Sequence, residues 1–303
     1  MRLIYEGKEI TNNVDINNAV IIDAAGGQAD SLEIRFSDTQ KLWSSWRPEK
    51  NQRIELSRDG FKSGIMYVDS WEQVPGYFIL QALSVPQEAK TAYYRSWEDV
   101  QFLELVQEIA GRYKLDLHTQ GIQNYLYKRV EQKNQTDIQF LSGRCKLEGY
   151  ALKITNNTLV IFNESAMEKE PPAAVLDSGD FDGEYQFWDN SIGVFSACQI
   201  IYGSVKAETK DMTLYGPVRK ITDIPVSSIG EAQRFSAGIL RSLNKSHAGG
   251  SCRIRFNPGI AAGNMIEIQN IGLADGKYYC EKVVHNLVAE RTKLYLRRPM
   301  EGY

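Results

Sequence analysis

The chain has 303 residues, 43% of them hydrophobic and 24% charged, with 35 Lys+Arg against 38 Asp+Glu and a formal net charge of −3. That length suits about two domains, and the charge balance argues against a dedicated nucleic-acid binder, which carries a basic surplus. No stretch approaches the ~20 apolar residues of a membrane span or forms a signal-peptide core, so the chain is expected to fold in cytoplasm without a membrane.

Residues 1–90 read as strands. Short β-branched or aromatic runs occupy 19–22, 32–36, 53–56, 65–68 and 77–80, punctuated by Gly26-Gly27, Asp59-Gly60, Pro75-Gly76 and Pro86. Alternation in 53–57 puts Ile54 and Leu56 on one face. Runs 65–68 and 77–80 are apolar on both faces and need cover on both, from a second layer or from another subunit. Many short strands at this spacing suggest a small barrel or sandwich.

At Ser96 the pattern changes. Ser96-Trp-Glu-Asp99 has the form of a capping box, followed by Val100, Leu103, Val106, Ala110 and Tyr113 at helical spacing. A strand is predicted at 127–132. Thr136-Asp-Ile-Gln139 opens a second helix carrying Ile138, Leu141 and Cys145, with Gly149 beyond its end. Residues 150–154 and 158–162 form a hairpin about Asn156-Asn157. Segment 164–172, charged and ending in Pro171-Pro172, reads as a linker. A strand follows at 194–202. Ser228-Ile-Gly-Glu231 then opens a third helix that buries Ala232, Phe235, Ile239 and Leu243 and ends by Gly249-Gly250.

The stretch 262–299 echoes the N-terminal region. Ile266, Gly276 and Tyr279 each stand 212 residues after Ile54, Gly64 and Tyr67. Upstream, Arg253-Ile-Arg-Phe256 echoes Glu33-Ile-Arg-Phe36 at an offset of 220, so the first copy is expected to hold extra residues, the 43–46 segment, in a loop.

No catalytic constellation emerges. His118 is expected to be exposed in a turn, His247 exposed beside Gly249-Gly250, and His285 structural within a strand; none has a nucleophile or metal-ligand partner at diagnostic spacing. The acidic run Asp177-Ser-Gly-Asp180-Phe-Asp182-Gly-Glu184 lacks the order of a calcium loop and reads as solvated. Trp43, Trp46 and Tyr67 form a candidate stacking platform, though core or interface packing is the expected role. Cys145, Cys198, Cys252 and Cys280 are scattered without metal spacing and read as buried free thiols. No catalytic, cofactor-binding or metal residue is assigned, and no cofactor.

Several stretches in order resemble one family. Ala29-Asp30-Ser-Leu-Glu-Ile-Arg-Phe-Ser-Asp38 with Trp43 and Pro48 is similar to the opening of the phage late control gene D family, the gp27-like baseplate hub proteins of contractile tails. So are the 97–113 helix, Val130-Glu-Gln132, Asn134-Gln-Thr-Asp-Ile-Gln-Phe-Leu141 and Gly149-Tyr150, and at the end Ala232, Gly263, Ile266-Glu-Ile268, Gly276-Lys-Tyr278, His285 and Leu294-Tyr-Leu-Arg297. The resemblance extends to the N-terminal part of type VI secretion spike proteins. It implies an α+β, mainly β fold: a β-barrel tube domain at 1–94, an α+β insertion at 95–170, and a second, related tube domain with one helix at 171–303. It further implies a non-enzymatic homotrimer whose six barrels form a pseudo-sixfold ring between a hexameric tail tube protein and a trimeric spike protein. A tape-measure protein and other baseplate proteins are further expected partners, without specific nucleic-acid recognition. Assembly is expected in the bacterial host cytoplasm, followed by incorporation into the virion or tail-like bacteriocin particle. A fused lysozyme, peptidase or needle is expected to be absent, leaving those roles to partner chains. The rival readings are a cell-wall hydrolase using Asp177, Asp180 and Glu184, or a peptidoglycan-binding tail module built on 96–162.

Overall fold

A computed structural model describes residues 1–300, so the expected end of the second barrel at 303 lies outside the described residues. Strands dominate, as expected, and most of them join one 14-stranded sheet. From one edge the sheet runs through Gln186–Asp189, Ala248–Arg255, Arg291–Arg297 and Gly276–Asn286, all from the C-terminal copy. It continues through Asp15–Ala24, Ser31–Ser37, Tyr77–Leu83, Met66–Val74, Arg53–Arg58, Arg2–Tyr5 and Lys8–Glu9, all from the N-terminal copy. The copies join where Gly276–Asn286 pairs antiparallel with Asp15–Ala24, from Lys282 opposite Ala24 to Asn286 opposite Val20. Each half surrounds its own core, one centred on Leu3, Ile21, Ile34, Leu56 and Leu80, the other on Ile254, Met265, Ile268, Tyr279 and Leu296. Among the described residues no ladder closes either half into a ring.

The repeat is sharper in space than in sequence. Arg53 faces Tyr67 and Ile54 faces Met66; Met265 faces Tyr279 and Ile266 faces Tyr278, each residue 212 further on. The next ladder slips at Asp69, between Val68 and Ser70, and its counterpart slips at Glu281, between Cys280 and Lys282, again 212 apart. A bulge adds one residue to one strand and sets a local bend, so a shared bulge means a shared curvature. The following strand is offset by 214 (Leu294 against Leu80), because a two-residue turn at Pro75-Gly76 becomes a four-residue turn at 287–290. Upstream, Cys252 faces Leu294 as Ile34 faces Leu80, an offset of 218. The offset of 220 expected there is therefore corrected by two residues, one full period of the strand, which preserves the buried face and explains why the motif aligned both ways.

The extra residues of the first copy do not form a loop. They carry the short helix Leu42–Trp46, whose Trp43 is inserted into the first core. Trp43 stacks on Phe78 at 5.2 Å and meets Phe36, Tyr5 and Trp46. Tyr67 is not in that cluster; its hydroxyl donates to Asn157 Oδ1 at 3.0 Å.

Between the copies, Ala92–Gln101 pairs with Leu126–Thr136, and Asp116–Gln120, Thr158–Asn163 and Tyr150–Thr155 form a second small sheet. The Ser96 capping box is overturned. Residues 96–99 lie in a strand in which Tyr93, Arg95 and Trp97 alternate inward, Trp97 stacking on Phe140 at 5.3 Å, and this period-2 burial wins over the local signal. The helix begins at Phe102, where Glu104 accepts from the Gln101 N–H at 3.0 Å, the same reciprocal chemistry five residues later. The Thr136 box stands as read: the Gln139 N–H donates to Thr136 Oγ1 at 3.2 Å, and left-handed Gly149 ends the helix Asp137–Glu148. The Asn156-Asn157 hairpin also stands, both asparagines at positive φ.

The third helix, Ile229–Asn244, opens at Ser228 as read, but buries Leu240 where Leu243 was expected; Leu243 is exposed. It packs with the sheet of Ala197–Tyr202, Val205–Lys210 and Val218–Ile221 into the core that also holds Phe102, Val106, Leu141 and Ile161. An added Cβ on Gly238 would stand 2.4 Å from the Leu147 carbonyl oxygen, so only glycine lets this helix meet the end of Asp137–Glu148.

Candidate interaction surface

The residues screened for chemistry are not brought together. His285 is fully buried, its Nδ1 2.9 Å from Thr292 Oγ1 and its ring edge-on to Phe61 and Phe256; burial lowers its pKa and keeps it neutral. His118 is exposed, on the strand Asp116–Gln120 where a turn was expected, and His247, half-buried, caps Asn244 O at 2.8 Å. The acidic run is engaged within its loop and with neighbouring strands: Asp180 accepts from the Asp177 N–H at 2.9 Å, and Asp182 pairs with Arg253 and Arg291. No group of three or more His, Cys, Asp or Glu is placed to hold a metal ion among the described residues. The four cysteines are buried and free; burial raises the Cys252 thiol to about 12 and Cys198 to about 11, which leaves them unreactive. No helix among the described residues is long and apolar enough to cross a membrane.

The polar groups that do converge hold units together. The expected linker at 164–172 is instead a structural joint, and composition missed it because the charges are internal. Glu164–Met167 is a short helix, and Glu164 and Glu168 are buried against Arg241 of the third helix and Arg297 of the final strand. Burial pushes the Glu164 carboxyl up, but Lys245, Arg297 and Arg241 together outweigh it and hold it below its usual value. In the insertion, fully buried Asp137 accepts from Arg95 and Arg112 at 3.0 Å, Tyr113 at 2.9 Å and Gln132 at 2.8 Å.

A third joint links all three segments. Lys153 of the insertion hairpin pairs with Asp23, whose other oxygen accepts from the Ala262 N–H at 2.8 Å, while Asp30 lies 3.9 Å from Lys153. Burial, with Asp23 nearby, raises Asp30 to about 7 against the pull of Lys153. A carboxyl raised on folding contributes stability that is full below its unfolded pKa and is lost as pH rises through the folded value. Wild-type protein is therefore expected to lose thermal stability between about pH 4 and pH 7, and Asp30→Asn, which keeps the acceptor for the Ala24 N–H, to flatten that slope in a melting series.

What remains exposed lies at the ends of the sheet. Trp71 on Met66–Val74 and Trp188 on Gln186–Asp189 are the large aromatics left in solvent on strands of the main sheet among the described residues, and both strands present an edge without a ladder partner.

No protein-family model matches the chain, and no curated protein matches it. Solved structures do. The chain superposes on a 43 kDa tail protein of prophage MuSo2 from Shewanella oneidensis with a TM-score of 0.77 at 12% identity, covering 98% of both chains. A tail protein from Neisseria meningitidis MC58 gives 0.75 at 15% identity over 98% of this chain and 95% of that one. A type VI secretion component of E. coli, described as structurally similar to the T4 phage tail proteins gp27 and gp5, gives 0.64 at 12% identity over 100% and 79%. The chain therefore has the fold of these phage tail and type VI secretion proteins.

Proposed function

We propose that this chain is the structural, non-enzymatic hub of a contractile phage tail or tail-like bacteriocin particle. Three copies, each carrying tube domains at 1–94 and 171–303 around the insertion at 95–170, form a pseudo-sixfold ring. One face mates with the hexameric tail tube and the other with the trimeric spike, so that internal duplication resolves the symmetry mismatch. A tape-measure protein and other baseplate proteins are further partners. The chain assembles in the bacterial host cytoplasm and ends in the particle. The observation that carries this reading is the duplication itself: two copies with the same register and the same bulge, already joined edge to edge in one sheet. The shared fold with phage tail proteins supports it.

Negative-stain imaging of the chain with its spike protein tests the ring; annular particles are expected, and isolated single-chain particles would contradict it. In a peptidoglycan zymogram neither the wild type nor the triple variant Asp177→Ala, Asp180→Ala, Glu184→Ala is expected to clear. Clearing by the wild type that the variant loses would favour the hydrolase reading.

A further inference from the structure

We infer that successive copies of this chain join by antiparallel strand pairing of 71–74 in one copy with 186–189 in the next, in a register that the molecule itself displays. The inference rests on the ring reading and supplies its subunit contact. Within the chain, Gly276–Asn286 uses one edge twice: 276–279 pair with Met265–Ile268 and, past the bulge at Glu281, 282–286 pair with Asp15–Ala24. Its counterpart 212 residues earlier, Met66–Val74, uses that edge once, for Arg53 and Ile54; beyond the bulge, 70–74 have no ladder partner there among the described residues. The counterpart of Asp15–Ala24 is Gln186–Asp189, because Ile21 faces Leu32 as Phe187 faces Gly250, and Gly250 follows Leu32 by the offset of 218 that relates those strands. Gln186–Asp189 is the free end of the sheet. One chain thus carries two complementary open edges, of the kinds already joined once inside it.

Carrying the internal register across sets Trp71 opposite Asp189, Glu72 opposite Trp188, Gln73 opposite Phe187 and Val74 opposite Gln186. Side-chain exposure agrees. Trp71 faces Leu80 on the core side yet is 52% exposed, whereas its counterpart Val283, facing Leu294, is 0% exposed because a strand covers it. Trp188 is 39% exposed. Gly250 keeps the partner edge flat, since an added Cβ would stand 2.2 Å from the Phe187 ring. The register also avoids opposing like charges, while a one-residue slip would set Glu72 against Asp189. Neither edge carries the lysine or proline that blunts an edge meant to stay single. Joining unlike edges is a head-to-tail contact, which closes into a ring when the rotation permits.

The test is disulfide trapping in the full-length protein, whose native thiols are buried and silent. Glu72→Cys with Trp188→Cys is expected to give intermolecular disulfides on mild oxidation, in species ending at three chains on a non-reducing gel. Val74→Cys with Gln186→Cys, which leaves both tryptophans in place, is expected to do the same; Glu72→Cys with Phe187→Cys, on opposite faces, is not. Three-chain mass by light scattering without either disulfide would overturn the pairing and leave the ring intact. A disulfide ladder that does not stop at three would support the pairing and overturn the ring. A single-chain mass with no disulfide would overturn both.

Discussion

Glu168→Gln is expected to destabilise the protein by about 3–5 kcal/mol, read as a fall in the urea midpoint without a change in slope. The Glu168 carboxylate bridges the guanidinium groups of Arg241 and Arg297 and also accepts from the Met300 N–H at 3.0 Å. Arg297 and Arg241 are among the most buried charged residues described, so a neutral amide leaves two cations out of water with Glu164, 3.6–3.7 Å from both, and Glu281, 3.1 Å from Arg297, as the remaining counter-charges. The pair was costly to bury; breaking it is costlier still, because the desolvation stays and the attraction goes. The contrast is Glu290→Gln. Glu290 pairs with Arg58 on the surface, where screening by water holds the loss to within about 1 kcal/mol.

Trp43→Ala is the second large effect, expected at about 3–5 kcal/mol in the same measurement. Trp43 is the largest fully buried side chain, and its removal opens a cavity beneath Phe36 and Phe78 that the surrounding sheet cannot collapse to fill. Its indole Nε1 has no hydrogen-bond partner among the described residues, so Trp43→Phe loses volume but no bond and is expected to cost well under half as much as Ala. A Trp43→Ala variant as stable as wild type would show that Leu42–Trp46 is a detachable flap and not part of the first core.

The repeat was legible because both copies bury equivalent strands, and burial imposes the same apolar alternation twice. Ile54 with Ile266 and Tyr67 with Tyr279 are core positions in each copy. The slip to 220 upstream arose because a strand reads the same when moved by two residues; only pairing fixes which inward residue faces which. Capping boxes told the truth where an apolar helical stripe followed directly, at Thr136 and Ser228, and misled at Ser96, where alternation against Phe140 decided the structure. The charged segment before Pro171-Pro172 misled for a different reason. Composition records charges but not their partners, and Arg241 and Arg297 come from distant parts of the chain. The open strand edges were out of reach for the same reason: an edge is defined by the pairing it lacks. The sequence could say that strands at 65–68 and 77–80 needed cover on both faces; Met66, Tyr67 and Val68 are indeed buried in succession, whereas 77–80 alternate between half-buried and buried.

The central claim is that one chain is a third of a ring. Light scattering of the full-length protein with its spike partner, at a salt concentration that screens surface charge, measures the copy number directly. Three chains per complex, held without disulfides, is the result predicted; one chain per complex at every protein concentration would contradict it.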